Sequence, residues 1–355
     1  MTTEKGHLVW LVTRYREARK ILIDTRFSSD SRLPGYPVNR VFSTLIRMDP
    51  PDHTHYRQLL NPEFTVRRLS GLRPQVQKLT DDLLNTIAAR AQPVDLVAEL
   101  AMPLPSMVIC GLLGVPPEDH SFLRERTAVA LSMTSTDEQI ERALTDLGDH
   151  VEQVLAERME RPADDLLTRL AGRFKAGDCP YAAAVDLARL LLVAGHVTTV
   201  NMIGLGLLTL LHDPRQADDL RADNGLIPSA VDELLRYLSV VPTLARVATE
   251  DIEVCGKRIQ AGEGVLILLS VANRDLDEFR EADLLDLHRD ERHHLAFGAG
   301  PHQCIGKSLA RMELEIVIET VLRRFPSARL AVPFDELSFR HDSNIFGVNE
   351  LPVSL

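Results

Sequence analysis

Apolar residues recur along most of this chain at the three- and four-residue spacing that places them on one face of a helix. The pattern predicts helices at 15–24, 67–90, 98–113, 117–133, 137–161, 181–212 and 227–238. Two more are predicted, one starting near Asp52 and one running from just after Cys304 to about Phe325. Short alternating or clustered apolar segments predict strands at 7–12, 244–249, 252–255, 258–259 and 265–269. The sequence therefore predicts a mainly α fold with a small β portion, organised as a single domain over residues 1–355.

Proline and glycine set the expected boundaries between these elements. Breakers at 34–37 indicate an irregular segment over 27–48. Pro103 and Pro105 are expected to interrupt the helix at 98–113. Pro214 is expected to stop the long helix that precedes it.

The stretch 190–211 is apolar enough to suggest a membrane span. It nevertheless contains His196, Thr198 and Asn201. A helix that is apolar on nearly all sides but carries clustered polar groups is typical of the buried centre of a large soluble protein. We therefore expect a core helix and no membrane association.

Composition narrows the class of protein. With 355 residues and 45% hydrophobic content the chain can bury a large core, and the formal charge of −11 argues against non-specific nucleic-acid binding. The four cysteines show no C-x-x-C pair, which favours a reducing compartment. The N-terminus lacks the basic and apolar regions of a signal peptide, so a cytoplasmic location is expected.

The most specific chemical signal is one cysteine in a glycine-rich decapeptide. Residues 297–306 read F-G-A-G-P-H-Q-C-I-G, and a periodic helical segment follows. Cys304 is therefore expected just before a helix N-terminus, where backbone N–H groups and the macrodipole favour a thiolate. A tight loop that presents one thiolate to a flat partner suits a haem iron with an axial sulfur. The alternative is a cysteine that acts only as a small hydrophobic residue in a turn.

A zinc site is a second alternative. His293, His294, His302 and Cys304 fall within a short span and carry ligand atoms that zinc accepts. Their spacing matches neither C-x-x-C nor H-x-x-x-H, so this alternative is disfavoured.

The decapeptide resembles the haem-binding loop of the cytochrome P450 monooxygenases, and the resemblance extends over nearly the whole chain. It implies the mostly α P450 fold, a haem b cofactor and Cys304 as the axial iron ligand. It also implies a set of ligands for the two haem propionates, which favour paired donors in a partly buried setting. That set is His53, Arg57, Arg246 and His302.

His53 and Arg57 form an H-x-x-x-R pair on one face of the helix that Asp52 is expected to cap. Glu233 and Arg236 match the family's E-x-x-R pair, which the resemblance makes a scaffold contact for the cysteine loop.

The segment A-G-H-V-T-T at 194–199 resembles the part of the family's central helix that crosses the distal face of the haem. Gly195 can let the helix open locally, and the Thr198 hydroxyl can organise proton delivery as a catalytic group. The alternative for Thr198 is a hydrogen bond back to a carbonyl four residues earlier.

The chain departs from the family at Val197, where an acid is usual. Proton delivery could then run through His196, ordered water or a substrate hydroxyl, or the reaction could depend less on protonation. A second departure is the start: the family usually has several dozen residues before the strand predicted at 7–12.

The resemblance implies a monooxygenase that hydroxylates or epoxidises a largely apolar small molecule, in the tailoring of secondary metabolites. The substrate pocket is expected at 27–48, 190–194, 240–244 and 345–347. A ferredoxin and a flavin-dependent ferredoxin reductase are the expected electron donors. A basic docking patch could comprise Arg67, Arg68, Lys307 and Arg311. The alternatives are oxidative coupling, desaturation or peroxide-driven oxidation, and a haem-binding sensor without catalysis.

Overall fold

A computed structural model describes residues 9–37, 44–132, 134–340 and 345–355. The helices are α1 Tyr15–Ile23, α2 Asp52–Leu60, α3 Val66–Ala88, α4 Pro103–Leu113, α5 His120–Leu131, α6 Asp137–Glu160, α7 Leu166–Lys175, α8 Tyr181–His212, α9 Pro214–Ala222, α10 Ile227–Leu238, α11 Leu269–Ala272 and α12 Lys307–Arg324. The strands are β1 Val9–Val12, β2 Phe27–Ser28, β3 Val94–Asp95, β4 Thr243–Ala248, β5 Ile252–Val254, β6 Lys257–Ile259, β7 Gly264–Leu268, β8 Arg329–Leu330 and β9 Pro352–Ser354. The start of the strand predicted at 7–12, the end of the helix predicted at 117–133 and part of the irregular 27–48 segment lie outside the described residues.

The chain divides into two compact units, one of Met1–Asn61 with Asp232–Lys307 and the other of Pro62–Val231 with Ser308–Leu355. The single domain predicted for residues 1–355 stays a prediction.

The first unit is built on a four-stranded sheet in the order β1-β7-β4-β2. β1 runs parallel to β7, and β4 pairs with β7 in antiparallel register that sets Arg246 opposite Val265. The apolar side chains of Ile21, Val265 and Phe279 share one buried cluster with Leu295. This cluster fixes the chain immediately before the cysteine loop.

The second unit is mostly helical and centres on α8, which packs against α4, α5, α6 and α7. α8 is long and apolar enough to span a membrane, yet 83% of its most apolar window is buried. That burial is what the sequence predicts for a core helix. A small sheet in the order β3-β9-β8 completes this unit.

Proline sets several boundaries, in part as predicted: α8 ends at His212, before Pro214, and the helix predicted at 98–113 is divided before Pro103. Pro105 lies inside α4 and does not interrupt it. Pro214 begins α9, and Asp213 caps that helix through a side-chain oxygen that accepts from the backbone N–H of Arg215. Pro103 likewise begins α4, because a proline at the first helical position loses no hydrogen bond. Asp52 does not cap α2; Pro51 occupies the N-cap position, with no side-chain hydrogen bond.

Candidate functional site

The cysteine loop is closed by backbone geometry that only glycine supplies. Gly298 and Gly300 have φ of +65° and +70°, in the left-handed region. A Cβ at Gly300 would lie 2.6 Å from the carbonyl oxygen of Leu22, so no side chain fits there. The backbone N–H of Cys304 donates to the carbonyl of Phe297 at 2.9 Å and draws the loop shut.

Cys304 lies three residues before the first residue of α12, as predicted, and its side chain is exposed. A Cβ placed on Gly306 would lie 3.9 Å from the Cys304 Sγ, in contact with it. The absence of that side chain leaves the sulfur open on this side. All four cysteines lie in the described ranges and none forms a disulfide.

Two histidines predicted for the propionates lie in contact in the first unit, with their ring planes tilted by 40°. The rings of His53 and His302 have centroids 4.0 Å apart. His53 is 2% exposed, and neither of its ring nitrogens has a hydrogen-bond partner among the described residues; the same holds for the buried Nδ1 of His302. Burial, then the positive charge of Arg246, lowers the pKa of His302 to about 2. Native proteins rarely leave buried polar atoms unpaired, so these nitrogens indicate a missing ligand.

Two arginines complete the predicted set. Arg57 donates through Nη2 to the carbonyl of Gln303 at 2.5 Å, next to the cysteine. Arg246 is 4% exposed on β4 and donates through Nη1 to the carbonyl of Ala245 at 2.7 Å. Burial lowers the pKa of Arg246 to about 10 and also lowers the pKa of Arg57, which the nearby Cys304 thiol opposes.

Within the described part of the chain, neither Arg57 nor Arg246 forms an ion pair with a carboxylate. Burying a guanidinium without a counter-charge is costly. A flat ligand with two carboxylates beside the thiolate would supply the missing charges and accept from the orphaned nitrogens. The residues present therefore fit a haem.

The E-x-x-R pair forms the bidentate ion pair that the spacing predicts. Arg236 Nε and Nη2 lie 2.7 and 2.8 Å from the two carboxylate oxygens of Glu233. Arg289 also donates to Glu233, at 3.0 Å, and all three side chains are buried. Sequence reasoning missed Arg289, because nothing in the local sequence L-H-R-D marks this arginine for a partner 56 residues away.

This network reaches the cysteine loop through one asparagine. Arg236 Nη1 donates to the carbonyl of Asn273 at 2.7 Å. The Asn273 Oδ1 accepts from the backbone N–H of Leu295 at 2.7 Å, just before the loop. The contacts are those of the scaffold role predicted for the pair.

The predicted distal segment lies on α8, in the second unit. From Leu190 to Leu208 every residue is buried except Ala194, Gly195 and Thr198. These three share one face, at spacings of one and four, and form an open strip on an otherwise buried helix. α8 continues without a break through Gly195, where a Cβ would lie 3.0 Å from the Ile109 Cδ1. Close packing on α4 therefore accounts for this glycine, and the expected local opening is not present.

Thr198 donates through Oγ1 to the carbonyl of Ala194 at 3.0 Å, which is the alternative contact considered from the sequence. A hydroxyl that donates one hydrogen bond keeps lone pairs that can accept another.

His196 and Val197 are both buried. The His196 Nε2 lies 3.3 Å from the carbonyl of Met102. Burial lowers the pKa of His196 to about 4, in spite of that hydrogen bond. His196 is thus neutral at pH 7 and anchored to the backbone, a poor arrangement for a proton carrier.

The zinc alternative finds no geometric support. Among the described residues no group of three or more His, Cys, Asp or Glu side chains is placed to hold a metal ion. His293 pairs with Glu278 at 3.0 Å, while the His302 ring contacts that of His53.

The chain matches known proteins of one family over most of its length. The cytochrome P450 family model matches residues 138–333. Cytochrome P450-SU2 of Streptomyces griseolus is 46% identical, over 98% of this chain and 88% of the relative. The 20-oxo-5-O-mycaminosyltylactone 23-monooxygenase of Streptomyces fradiae is 41% identical, over 98% and 84%.

A solved structure gives the same result for the fold. The mycinamicin VIII C21 methyl hydroxylase MycCI of Micromonospora griseorubida, in complex with mycinamicin VIII, matches with a TM-score of 0.95 and 39% identity, over 100% of this chain and 92% of that one. The predicted fold is confirmed, and so is the predicted haem b cofactor. This chain belongs to the cytochrome P450 family, as a haem-dependent monooxygenase.

Proposed function

We propose that this chain hydroxylates or epoxidises a largely apolar small molecule in secondary-metabolite tailoring, with electrons from a ferredoxin and its reductase. The observation that supports this best is an exposed cysteine in the first unit, near two histidines with buried ring nitrogens that have no hydrogen-bond partner among the described residues. Two relatives named above act, by their printed names, on a mycaminosyl tylactone and on mycinamicin VIII. A product of related size and low polarity is the first substrate class to test.

In this proposal Cys304 is the axial ligand, and four bases bind the haem carboxylates, namely His53, Arg57, Arg246 and His302. Bound haem supplies the activation of dioxygen, which an electron-rich thiolate assists. Arg57 has a double role, because its guanidinium also binds the carbonyl of Gln303, the residue before the cysteine. The carboxylate contact and the loop geometry are thereby coupled.

Thr198 is the proposed proton-handling group. Its hydroxyl lies on the open strip of α8 and can accept a proton from a donor while it donates to Ala194. Val197 carries no proton, and His196 keeps its proton on the Met102 carbonyl. We infer that the donor to Thr198 is ordered water or a hydroxyl of the substrate.

A second candidate function follows from Val197. The buried valine stands where relatives usually carry an acid, and no proton-transfer group replaces it at that position. Oxidative coupling, desaturation or peroxide-driven oxidation would tolerate this better than ordinary hydroxylation. The Val197→Glu variant separates the two: product formed per NADPH should rise if hydroxylation is limited by protons, and stay unchanged if the reaction is of the second kind.

The redox partner is expected to be acidic, and the basic side chains differ in availability. Arg67 is exposed, whereas Arg68 forms ion pairs with Glu63 at 3.1 Å and Asp164 at 3.0 Å. Arg67 is therefore the better candidate for ferredoxin binding in the second unit. A cytoplasmic location is part of the proposal, supported by the burial of α8.

The decisive experiment has two parts. The ferrous carbon monoxide spectrum of the purified protein should show the red-shifted Soret band of a thiolate-ligated haem, and Cys304→Ala should abolish it. Substrate-induced spin-state shifts should then be screened with macrolides and other apolar natural products, followed by product analysis with ferredoxin, reductase and NADPH. A normal thiolate spectrum without oxidised product from any ligand that shifts the spin state would contradict the proposed reaction.

A further inference from the structure

A third arginine lies beside the predicted propionate ligands and belongs to none of the family motifs recognised in the sequence. Arg47 ends a single 3-10 turn, Leu45–Arg47, shortly before α2. Its guanidinium carbon lies 5.1 Å from the ring centroid of Tyr36, and its Nη1 donates to the Tyr36 hydroxyl. Tyr36 therefore holds Arg47 by both its ring and its oxygen.

Tyr36 also connects Arg47 to Arg246. The Tyr36 hydroxyl donates to the carbonyl of Ala245 at 3.3 Å, and Arg246 Nη1 donates to that same carbonyl at 2.7 Å. Two guanidinium groups are thus joined through one phenol and one carbonyl. Their proximity has an electrostatic effect, because the charge of Arg47 contributes to the lowered pKa of Arg246.

Among the described residues, the charges in this region do not balance without a ligand. Arg47, Arg57 and Arg246 each carry one positive charge. The carboxylate that acts on Arg246 is Asp49, which accepts from the Ser28 hydroxyl and, at 2.9 Å, from the backbone N–H of Ser29. Asp30 is already paired with Arg32. Two positive charges remain unmatched. The core of a thiolate-ligated ferric porphyrin is neutral, so two propionates match those charges one for one.

We propose that Arg47, positioned by Tyr36, is a further haem-propionate ligand that acts on the same carboxylate as Arg246. The proposal rests on the haem site proposed above, and it assigns to this chain one more basic ligand than the family motifs supply. It also gives the 27–48 segment a cofactor-binding role beside its proposed substrate-binding one.

The test compares Arg47→Met with Arg32→Met in the substrate-free holoprotein. Arg32 is the matched control, because it lies in the same segment but is solvent-exposed and paired with Asp30 at 2.7 Å. Haem transfer to an excess of a haem-scavenging apoprotein should be about tenfold faster in Arg47→Met, which loses a charge-assisted hydrogen bond, and unchanged in Arg32→Met. The ferric–ferrous potential should become more negative in Arg47→Met alone. The Arg47 cation stabilises the ferrous haem, which carries one more negative charge than the ferric haem, and the variant lacks this cation.

Two further variants test the positioning role and guard against a folding defect. Tyr36→Phe keeps the ring under the guanidinium but removes the hydroxyl, so its haem release should be intermediate. Arg47→Lys keeps the charge and should preserve most of the potential while losing part of the haem retention.

An anion of the substrate is the other carboxylate that Arg47 could bind. Haem release and potential equal to wild type in Arg47→Met would overturn the proposal, and weaker binding of carboxylate ligands alone would assign Arg47 to a substrate anion. Failure of the proposed function can be told apart from failure of the Arg47 assignment. A wild-type protein without a thiolate spectrum would refute the haem site itself. A normal wild-type spectrum, together with no change in haem release or potential in Arg47→Met, would refute only the role of Arg47.

Discussion

At the scale of single residues, the informative feature of this protein is a group of buried bases that form no ion pair with a carboxylate among the described residues. Arg246 and His53 are almost fully buried, and the pKa of each is lowered first by that burial. Burying such groups costs free energy unless a partner, such as a bound anion, forms hydrogen bonds or ion pairs with them. Their position near the cysteine loop therefore favours an anionic ligand.

His196 gives a residue-scale prediction for pH dependence. Burial lowers the pKa of His196 to about 4, so the folded state resists protonation that the unfolded state accepts at about pH 6.5. Between pH 6.5 and pH 4 the unfolded state binds more protons than the folded state. The effect of His196 on stability is therefore absent above pH 6.5, and the free energy of unfolding falls as the pH drops below that value. At pH 5 the loss attributable to this residue should be about 2 kcal/mol.

Denaturant unfolding of wild type and His196→Gln at pH 7.5 and pH 5 checks this. Glutamine keeps a donor for the Met102 carbonyl but does not titrate. The stability difference between the two proteins should shift in favour of the variant at pH 5. Parallel behaviour of both proteins between the two pH values would contradict the pKa direction.

At the scale of elements, the E-x-x-R helix matters because it organises a loop with little secondary structure of its own. Glu233 on α10 binds two arginines and also accepts from the backbone N–H of Asp286 at 3.0 Å. Arg236 in turn donates to the carbonyls of Asn273, Ala282 and Leu284. One helical turn thus satisfies backbone groups that a long irregular segment would otherwise leave unpaired.

Removing the buried Glu233 carboxylate should therefore lower the stability of the protein far more than removing a carboxylate from the surface. Glu233→Ala leaves two buried guanidinium groups without their anion and should destabilise the protein by about 3–5 kcal/mol. Glu141→Ala, at an exposed position on α6, is the matched control and should change stability by less than about 0.5 kcal/mol. Urea midpoints of the holoproteins measure both. Equal midpoints would mean that the network contributes no net stability.

The sequence predicts elements well where one periodicity runs uninterrupted. The bounds of α8 and α10 match the prediction, because long apolar repeats and flanking breakers agree. α9 was missed because Pro214 was interpreted as a stop, although a proline is equally suited to a first helical position. α7 was missed because its ten residues offer only a short apolar face between polar neighbours.

The residues of the candidate site fall into two groups, those that a local motif predicts and those that it does not. His53, Arg57 and Cys304 belong to local motifs and are found by spacing. Arg289 contacts a partner 56 residues away, and Arg47 is linked to Arg246 only through Tyr36 and the Ala245 carbonyl, so no local pattern points to either arginine. Sequence reasoning thus proposes the ligands that a motif carries and misses the contacts that only the fold creates.

At the scale of the whole molecule, the two units contain different kinds of stabilising contact. The basic ligands proposed for haem all belong to the first unit, where their burial depends on a bound anion. In the second unit, the middle of α8 from Val200 to Leu208 is buried and mostly apolar. The packing of these side chains does not depend on a bound anion. Haem removal should therefore weaken the molecule unevenly.

Hydrogen exchange of apo- and holoprotein tests this expectation. Without haem, the amides of α2, of β4 and of the cysteine loop should lose protection, because the unpaired cations there favour local opening. Amides of α8 between Val200 and Leu208 should keep most of theirs. A uniform loss of protection over both units would show that haem does not selectively stabilise α2, β4 and the cysteine loop.

Haem dimethyl ester supplies the control that isolates the carboxylates. It has the same ring and iron as haem, but its esters carry no charge to pair with Arg57 and Arg246. Reconstitution with the ester should restore protection near Cys304, whose sulfur still binds iron, while α2 and β4 remain weakly protected. Reconstitution with haem should restore all three regions. Because ring and iron are common to both, equal restoration by the two would show that hydrophobic and axial contacts suffice, and that the buried bases do not depend on propionate charge.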